Sequence, residues 1–204
     1  MASVTIYVEG GGGERHGLQQ VRLAFREFFT EFAESRSMPK VVASGGRGKA
    51  YEDFLAEIKR HPDAFVILLV DSECAVIAGP REHLSRVDRW DMSAISDDRV
   101  HLMVQAVEAW LIADREALAD YFGKGFNDNP LPDRPPEEIP AGSLKNALNQ
   151  AARKTAKGGY DEIAHCPEIL GEVDAATVRR ACRHCKHLFE VISHVTGVPL
   201  PDLQ

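Results

Sequence analysis

The sequence predicts an α/β fold: a mostly parallel four-stranded sheet flanked by helices, with a helical C-terminal extension. Three observations predict it. Short β-branched or wholly apolar runs alternate with segments whose apolar residues recur every three or four positions, the alternation that crossover helices impose on a sheet. The run 64–70 (AFVILLV) has no polar alternation at all, as expected of a strand covered on both faces. The 204 residues, 44% hydrophobic, suffice for one substantial core and are short for two.

In chain order, 4–9 (VTIYVE) is β-branched and aromatic and runs into four glycines, which predicts a first strand ending in a tight turn. Over 17–33, Leu18, Val21, Phe25, Phe28, Phe29 and Phe32 fall at helical steps. Residues 41–44 make a short second strand closed by Gly45 and Gly46, and 49–60 a second helix carrying Phe54, Leu55 and Ile58. Strand three is 64–70. Residues 74–98 are polar and broken by Gly79 and Pro80, a surface excursion with one short helix. Strand four is 100–105, and 108–122 reads as one helix. Five prolines make 123–142 a surface linker, and 144–155 and 175–196 are helices of the extension. The organisation is therefore a core over 1–122, a Pro-rich linker over 123–142, and an extension over 143–204 packed on the core.

No run reaches the eighteen or so apolar residues of a membrane span, and the N-terminus enters a strand without a basic then apolar leader. We therefore expect a cytoplasmic protein with no membrane partner, whose four cysteines stay reduced. The net charge of -7 argues against indiscriminate nucleic-acid binding. That charge is uneven: from Ser143 onward eight Lys+Arg meet seven Asp+Glu, so the acidity lies in the first part of the chain.

In a doubly wound sheet, ligands sit beyond the carboxyl ends of the strands. Three strand ends deliver carboxylates there: Glu9 after strand one, Asp71 and Glu73 after strand three, Glu108 just past strand four. Mg²⁺ and Mn²⁺ take oxygen ligands, so two or three carboxylates plus a substrate phosphate form a suitable shell. The plainer account, that charged residues often terminate strands, weakens as three ends agree.

The blocks Val8-Glu9-Gly10, with Glu14 downstream, and Leu69-Val70-Asp71-Ser72-Glu73 resemble the Toprim domain of topoisomerases, primases and overcoming-lysogenization-defect nucleases. Together with the block from His101 to Trp110, they are more closely similar to the bacterial domain-of-unknown-function 4276 family, which is grouped with Toprim-like proteins. The resemblance implies a Toprim-like fold, Glu9 as general acid or base, Asp71 and Glu73 as metal ligands, and Glu108 in a supporting metal role. The Ser-x-Gly element of the nuclease branch is missing after strand four.

The glycines at 10–13 fit neither register of a dinucleotide fingerprint, since the last position falls on Arg15 or His16. Gly10, Gly11 and Gly12 either let backbone approach a phosphate or simply make a turn. The run 45–50 fails as a P-loop at Ala43 and Ala50, but Arg47 and Lys49 lie on the carboxylate edge, where either could clamp a phosphate or merely begin a solvated helix. Cys182 and Cys185, with His184, His187, His165 and Cys166 nearby, suggest zinc, yet they fall on an apolar stripe where cysteine is a small core residue. His101 heads a buried strand, and His16 follows the glycine loop at a helix start. Arg179, Arg180, Arg183 and Lys186 read as the solvated face of a helix rather than a nucleic-acid track.

Two functions follow as expectations. One is a Mg²⁺- or Mn²⁺-dependent Toprim-type enzyme acting on nucleic-acid phosphodiesters, placed by the resemblance in phage defence. The other is a non-catalytic Toprim-like module that binds a nucleotide or a partner ATPase and regulates it. The type of nucleic acid and the oligomeric state stay open.

Overall fold

A computed structural model describes residues 3–33 and 37–203; the outer ends of the two flanking segments assigned above lie outside them. Four strands, β1 (Val4–Val8), β2 (Lys40–Ala43), β3 (Phe65–Asp71) and β4 (Val100–Met103), form one sheet of order β2-β1-β3-β4. Every pairing is parallel, with Val8 opposite Ala43 and Leu69, and Asp71 opposite Met103. Helix α1 (Arg15–Phe28) links β1 to β2, and α2 (Arg47–Arg60) links β2 to β3.

The sheet is doubly wound. From β1 the chain steps to one side to lay down β2, then returns past β1 to lay down β3, so the winding reverses between β1 and β3. Side chains alternate across β3: Ile67 and Leu69 join one hydrophobic cluster, while Val66, Leu68 and Val70 join the other with Ala50 and Phe54 of α2. That double burial is why this strand carries no polar alternation.

The larger cluster unites β1, β3 and α1 with the C-terminal helices. These are α4 (Glu108–Ala113), α5 (Arg115–Phe122), α6 (Ala141–Ala152), α7 (Glu162–Leu170), α8 (Ala175–Ala181) and α9 (Arg183–Thr196), after α3 (Pro80–Val87) on the other side of the chain's midpoint. Trp110 of α4 stacks on Phe28 at 5.1 Å, and Phe189 of α9 meets Phe28 edge-on at 5.6 Å. Aromatic rings of this size remove roughly 150–250 Å² each from water, so this knot ties the extension to the sheet.

Several boundaries differ from expectation for identifiable reasons. The 108–122 helix breaks at Asp114, whose carboxylate accepts from Ala117 N at 3.1 Å and from Asp174 N at 2.8 Å, capping α5 while tethering the start of α8. The 175–196 helix breaks at Cys182, which is extended (φ -120°, ψ 104°), and Glu137 accepts from His184 N at 2.9 Å in the first turn of α9. The 123–142 segment is not wholly irregular: it holds a 3₁₀ turn at Pro136–Glu138, buries Leu131 and Ile139, and ends as α6 begins. Helix α7 was not expected at all, because Pro167 lies inside it. The predicted basic face is also divided. Arg179 is buried and paired with Glu31 at 2.8 Å, while Arg183 and Lys186 belong to a different helix. Cys182 and Cys185 are fully buried in the core, where burial pushes both thiols up.

Candidate functional site at the switch point

Reversal of the winding leaves a crevice beyond the carboxyl ends of β1 and β3. A cavity of about 330 Å³ occupies it, and Glu9, Gly10, Gly11, Gly12, Arg47, Asp71 and Glu73 all contribute to its lining. Because Val8 pairs with Leu69, the residues that follow these strands are held side by side. The Glu9 carboxylate accepts a hydrogen bond from the backbone N–H of Asp71.

Two glycine turns form the rim. Gly10 N donates to Gly45 O at 2.7 Å, joining the loop after β1 to the loop after β2. Gly11 has φ +82°, and a Cβ there would stand 2.6 Å from the Gly17 carbonyl oxygen, so both the backbone conformation and the close approach to α1 require glycine. The cap of α2, Gly46, has no side chain to satisfy the first-turn N–H groups, which leaves the positive end of that helix at the cavity.

At the first turn of α2, Arg47 crosses the floor. Its guanidinium grips Asp88 through two hydrogen bonds of 2.7 and 2.8 Å, reaches Glu9 at 3.3 Å, and donates to the Asp71 carbonyl oxygen. It lies 5.3 Å from the centre of the Trp90 ring, which stacks on Tyr51. Burial opposes its charge, but the bonds to Asp88 and the negative charges of Glu9, Asp88 and Glu73 outweigh it and raise its pKa.

Asp71 lies at the end of β3, half-buried, and its Oδ1 accepts from Val107 N at 2.9 Å at the start of α4. Burial raises its pKa well above the usual carboxylate range, and the charges of Glu9, Glu108 and Glu73 add to the effect. Glu9 is pushed up to about 7, chiefly by burial, against the opposing pull of the Asp71 N–H and Arg47. Glu73 is exposed and leaves β3 in left-handed backbone (φ 62°), with its N–H on Gln105 O at 2.9 Å. The turn before it is pinned by His83, whose Nε2 lies 2.8 Å from Ser72 O.

Lys49 and Glu108 stand apart from the lining. Lys49 pairs with Asp53 one turn along α2, on the exposed side. Two residues after Arg47, it is rotated about 200° round the helix axis and points elsewhere. Glu108 is fully buried; its Oε1 accepts from Tyr160 at 3.1 Å, and its Oε2 has no hydrogen-bond partner among the described residues. Burial raises its pKa too, and Lys145 at 3.8 Å partly offsets this. His16 is exposed and outside the lining.

The C-terminal helices supply residues that the strand-end pattern missed. Lys145 of α6 and Glu162 of α7 line the cavity and pair with each other at 2.6 Å. Ile163, Cys166, Pro167 and Leu170 of α7 form an apolar wall facing Val21 and Phe25 of α1. Asp88, Lys145 and Glu162 reach the site only through tertiary packing. The single local signal was Asp161, an N-cap residue just before the α7 run, accepting from Ile163 N at 2.9 Å and Ala164 N at 2.8 Å.

As a cation site, the chemistry of the donors fits Mg²⁺ or Mn²⁺, because all are carboxylates, and burial first and the neighbouring negative charges second leave Asp71 in need of a positive partner. Yet no group of three His, Cys, Asp or Glu able to hold a metal ion is gathered among the described residues. Glu9 is turned toward Arg47 and the Asp71 N–H instead. Among the described residues, no helix is long and apolar enough to cross a membrane.

The model of one family, described as Domain of unknown function (DUF4276), matches residues 8–193. No curated protein and no solved structure matches the chain.

Proposed function

This chain belongs to the DUF4276 family, and we propose that it is a Mg²⁺- or Mn²⁺-dependent, Toprim-like hydrolase of phosphoesters in nucleic acid. One observation carries this reading. Glu9, Asp71 and Glu73 come from two adjacent strand ends into a single cavity that also holds Arg47 and glycine-rich backbone.

Asp71 and Glu73 would hold the cation, which when bound supplies positive charge to a phosphate oxygen. Arg47 binds a second phosphate oxygen, with Asp88 keeping its guanidinium in the floor. The glycine loops let main-chain N–H groups approach the same anion. Glu9, whose proton affinity lies near neutrality, takes the proton of an attacking water. The water oxygen joins phosphorus, one P–O ester bond breaks, and the leaving oxygen takes a proton.

Incubation of single-stranded DNA, duplex DNA and RNA with Mg²⁺ or Mn²⁺ tests the reading. Wild type cleaves at least one of them, and Asp71→Asn, which keeps an acceptor for Val107 N while removing the charge, loses about 100-fold or more. Equal activity in the two proteins, or none in either, overturns it.

A second reading has one observation in its favour. The guanidinium is already spanned by Asp88 and Glu9 and the carboxylates are not gathered, as suits a pocket that holds a nucleotide without transforming it, in a module regulating a partner ATPase. Tight nucleotide binding without turnover selects this alternative.

A further inference from the structure

Taking only the cation-dependent phosphoester hydrolysis proposed above as its premise, and not the polymeric substrate, we infer that the cavity accepts a single nucleotide unit entering end-on, not an internal stretch of a polymer. Three independent features converge on this. At about 330 Å³ the cavity is at the low end of small-molecule sites, which span about 300–1,000 Å³, so a duplex has no room to enter.

The lining also combines two chemistries. Phe25, Met103 and Leu170, each only 2% exposed, share it with the charged Glu9, Arg47, Asp71 and Glu73, while Ile163, 74% exposed, borders solvent. A ligand must therefore offer a compact, weakly polar body next to an anionic group, which is the make-up of one nucleoside phosphate.

Charge supplies the third feature. Among the described residues the lining holds two cations, Arg47 and Lys145, and each is already paired. Two such groups suit one phosphate. Tracking a strand needs a cation for each of several phosphates, and the chain's net charge of -7 works against it.

The unit comes from either of two sources, the end of a strand or a free nucleotide. At a strand end, addition of water across the terminal phosphodiester releases one nucleoside monophosphate and a strand shorter by one. On a free nucleoside monophosphate, the same addition releases a nucleoside and inorganic phosphate.

The full chain is incubated with Mg²⁺ or Mn²⁺ and three probes: a linear single strand, a covalently closed circle of the same sequence, and nucleoside monophosphates. Mononucleotides released from the linear strand, or inorganic phosphate from the monophosphates, with the circle intact, support the inference and identify the source. Cleavage of the circle at a rate comparable to the linear strand overturns it while leaving a cation-dependent hydrolase standing. No turnover of any probe removes both readings. Ile163→Trp, a change at an exposed position, narrows the mouth and is expected to slow turnover of the accepted probe at least tenfold with thermal unfolding unchanged; an unaltered rate also overturns the inference.

Discussion

Glu9 and His101 pull the pH dependence of stability in opposite directions. The Glu9 carboxyl is pushed up to about 7 by burial, so between its ordinary range near 4.5 and 7 the folded chain holds a proton that the unfolded chain has released. Stability therefore falls as pH rises through that window. Burial lowers His101 to about 4, so from 6.5 down to 4 the unfolded chain binds the extra proton and stability falls as pH drops. The two slopes oppose each other between about pH 4.5 and 6.5. Asp71 and Glu108, raised by burial as well, add to the Glu9 slope, so urea unfolding of Glu9→Gln at several pH values is expected to show a shallower fall with rising pH than wild type, and that of His101→Leu a steeper one. Parallel profiles for all three proteins would show that neither group titrates as its surroundings dictate. At this scale the sequence was legible where a residue's place follows from a strand end: Glu9, Asp71, Glu73 and the glycines at 10–12 all reach the cavity. Lys49 was not legible, because two steps along a helix reverse direction, and no strand pattern reveals that α2 already begins at Arg47.

Among the elements, α7 matters most to the site, since four of its apolar residues form one cavity wall. It is nine residues long and contains Pro167, so its own hydrogen bonding is weak and its first turn depends on the Asp161 cap. Asp161→Ala is expected to cost about 0.5–2 kcal/mol in urea unfolding and to weaken binding of the accepted phosphoester. An effect on stability without one on binding would mean that the wall does not shape the site. Strands β1, β3 and β4 were readable from apolar runs because burial permits little else, whereas β2, at the sheet edge, is only partly buried. Helix α7 was not, since a proline and the exposed Ile163 blur its periodicity. The breaks at Asp114 and Cys182 were equally hidden, because each is fixed by a partner distant in sequence, Asp174 for one and Glu137 for the next turn of the other.

For the whole molecule, the order β2-β1-β3-β4 is what converts scattered carboxylates into neighbours, because it sets the switch point between the two strands that end in Glu9 and Asp71. The alternation of strands and helices was enough to anticipate that sheet. It was not enough to foresee that the extension completes the cavity with Lys145, Glu162 and the α7 wall, since nothing local to those residues marks the approach of α6 and α7 to α1. The proposal stands or falls on whether Asp71 and Glu73 at this switch point hold a cation. Anomalous scattering from a crystal grown with Mn²⁺ tests it most directly. A peak beside the carboxylates of Asp71 and Glu73 is expected, and a Mn²⁺-saturated crystal with no peak there, or with its strongest peak elsewhere, rules the cation site out.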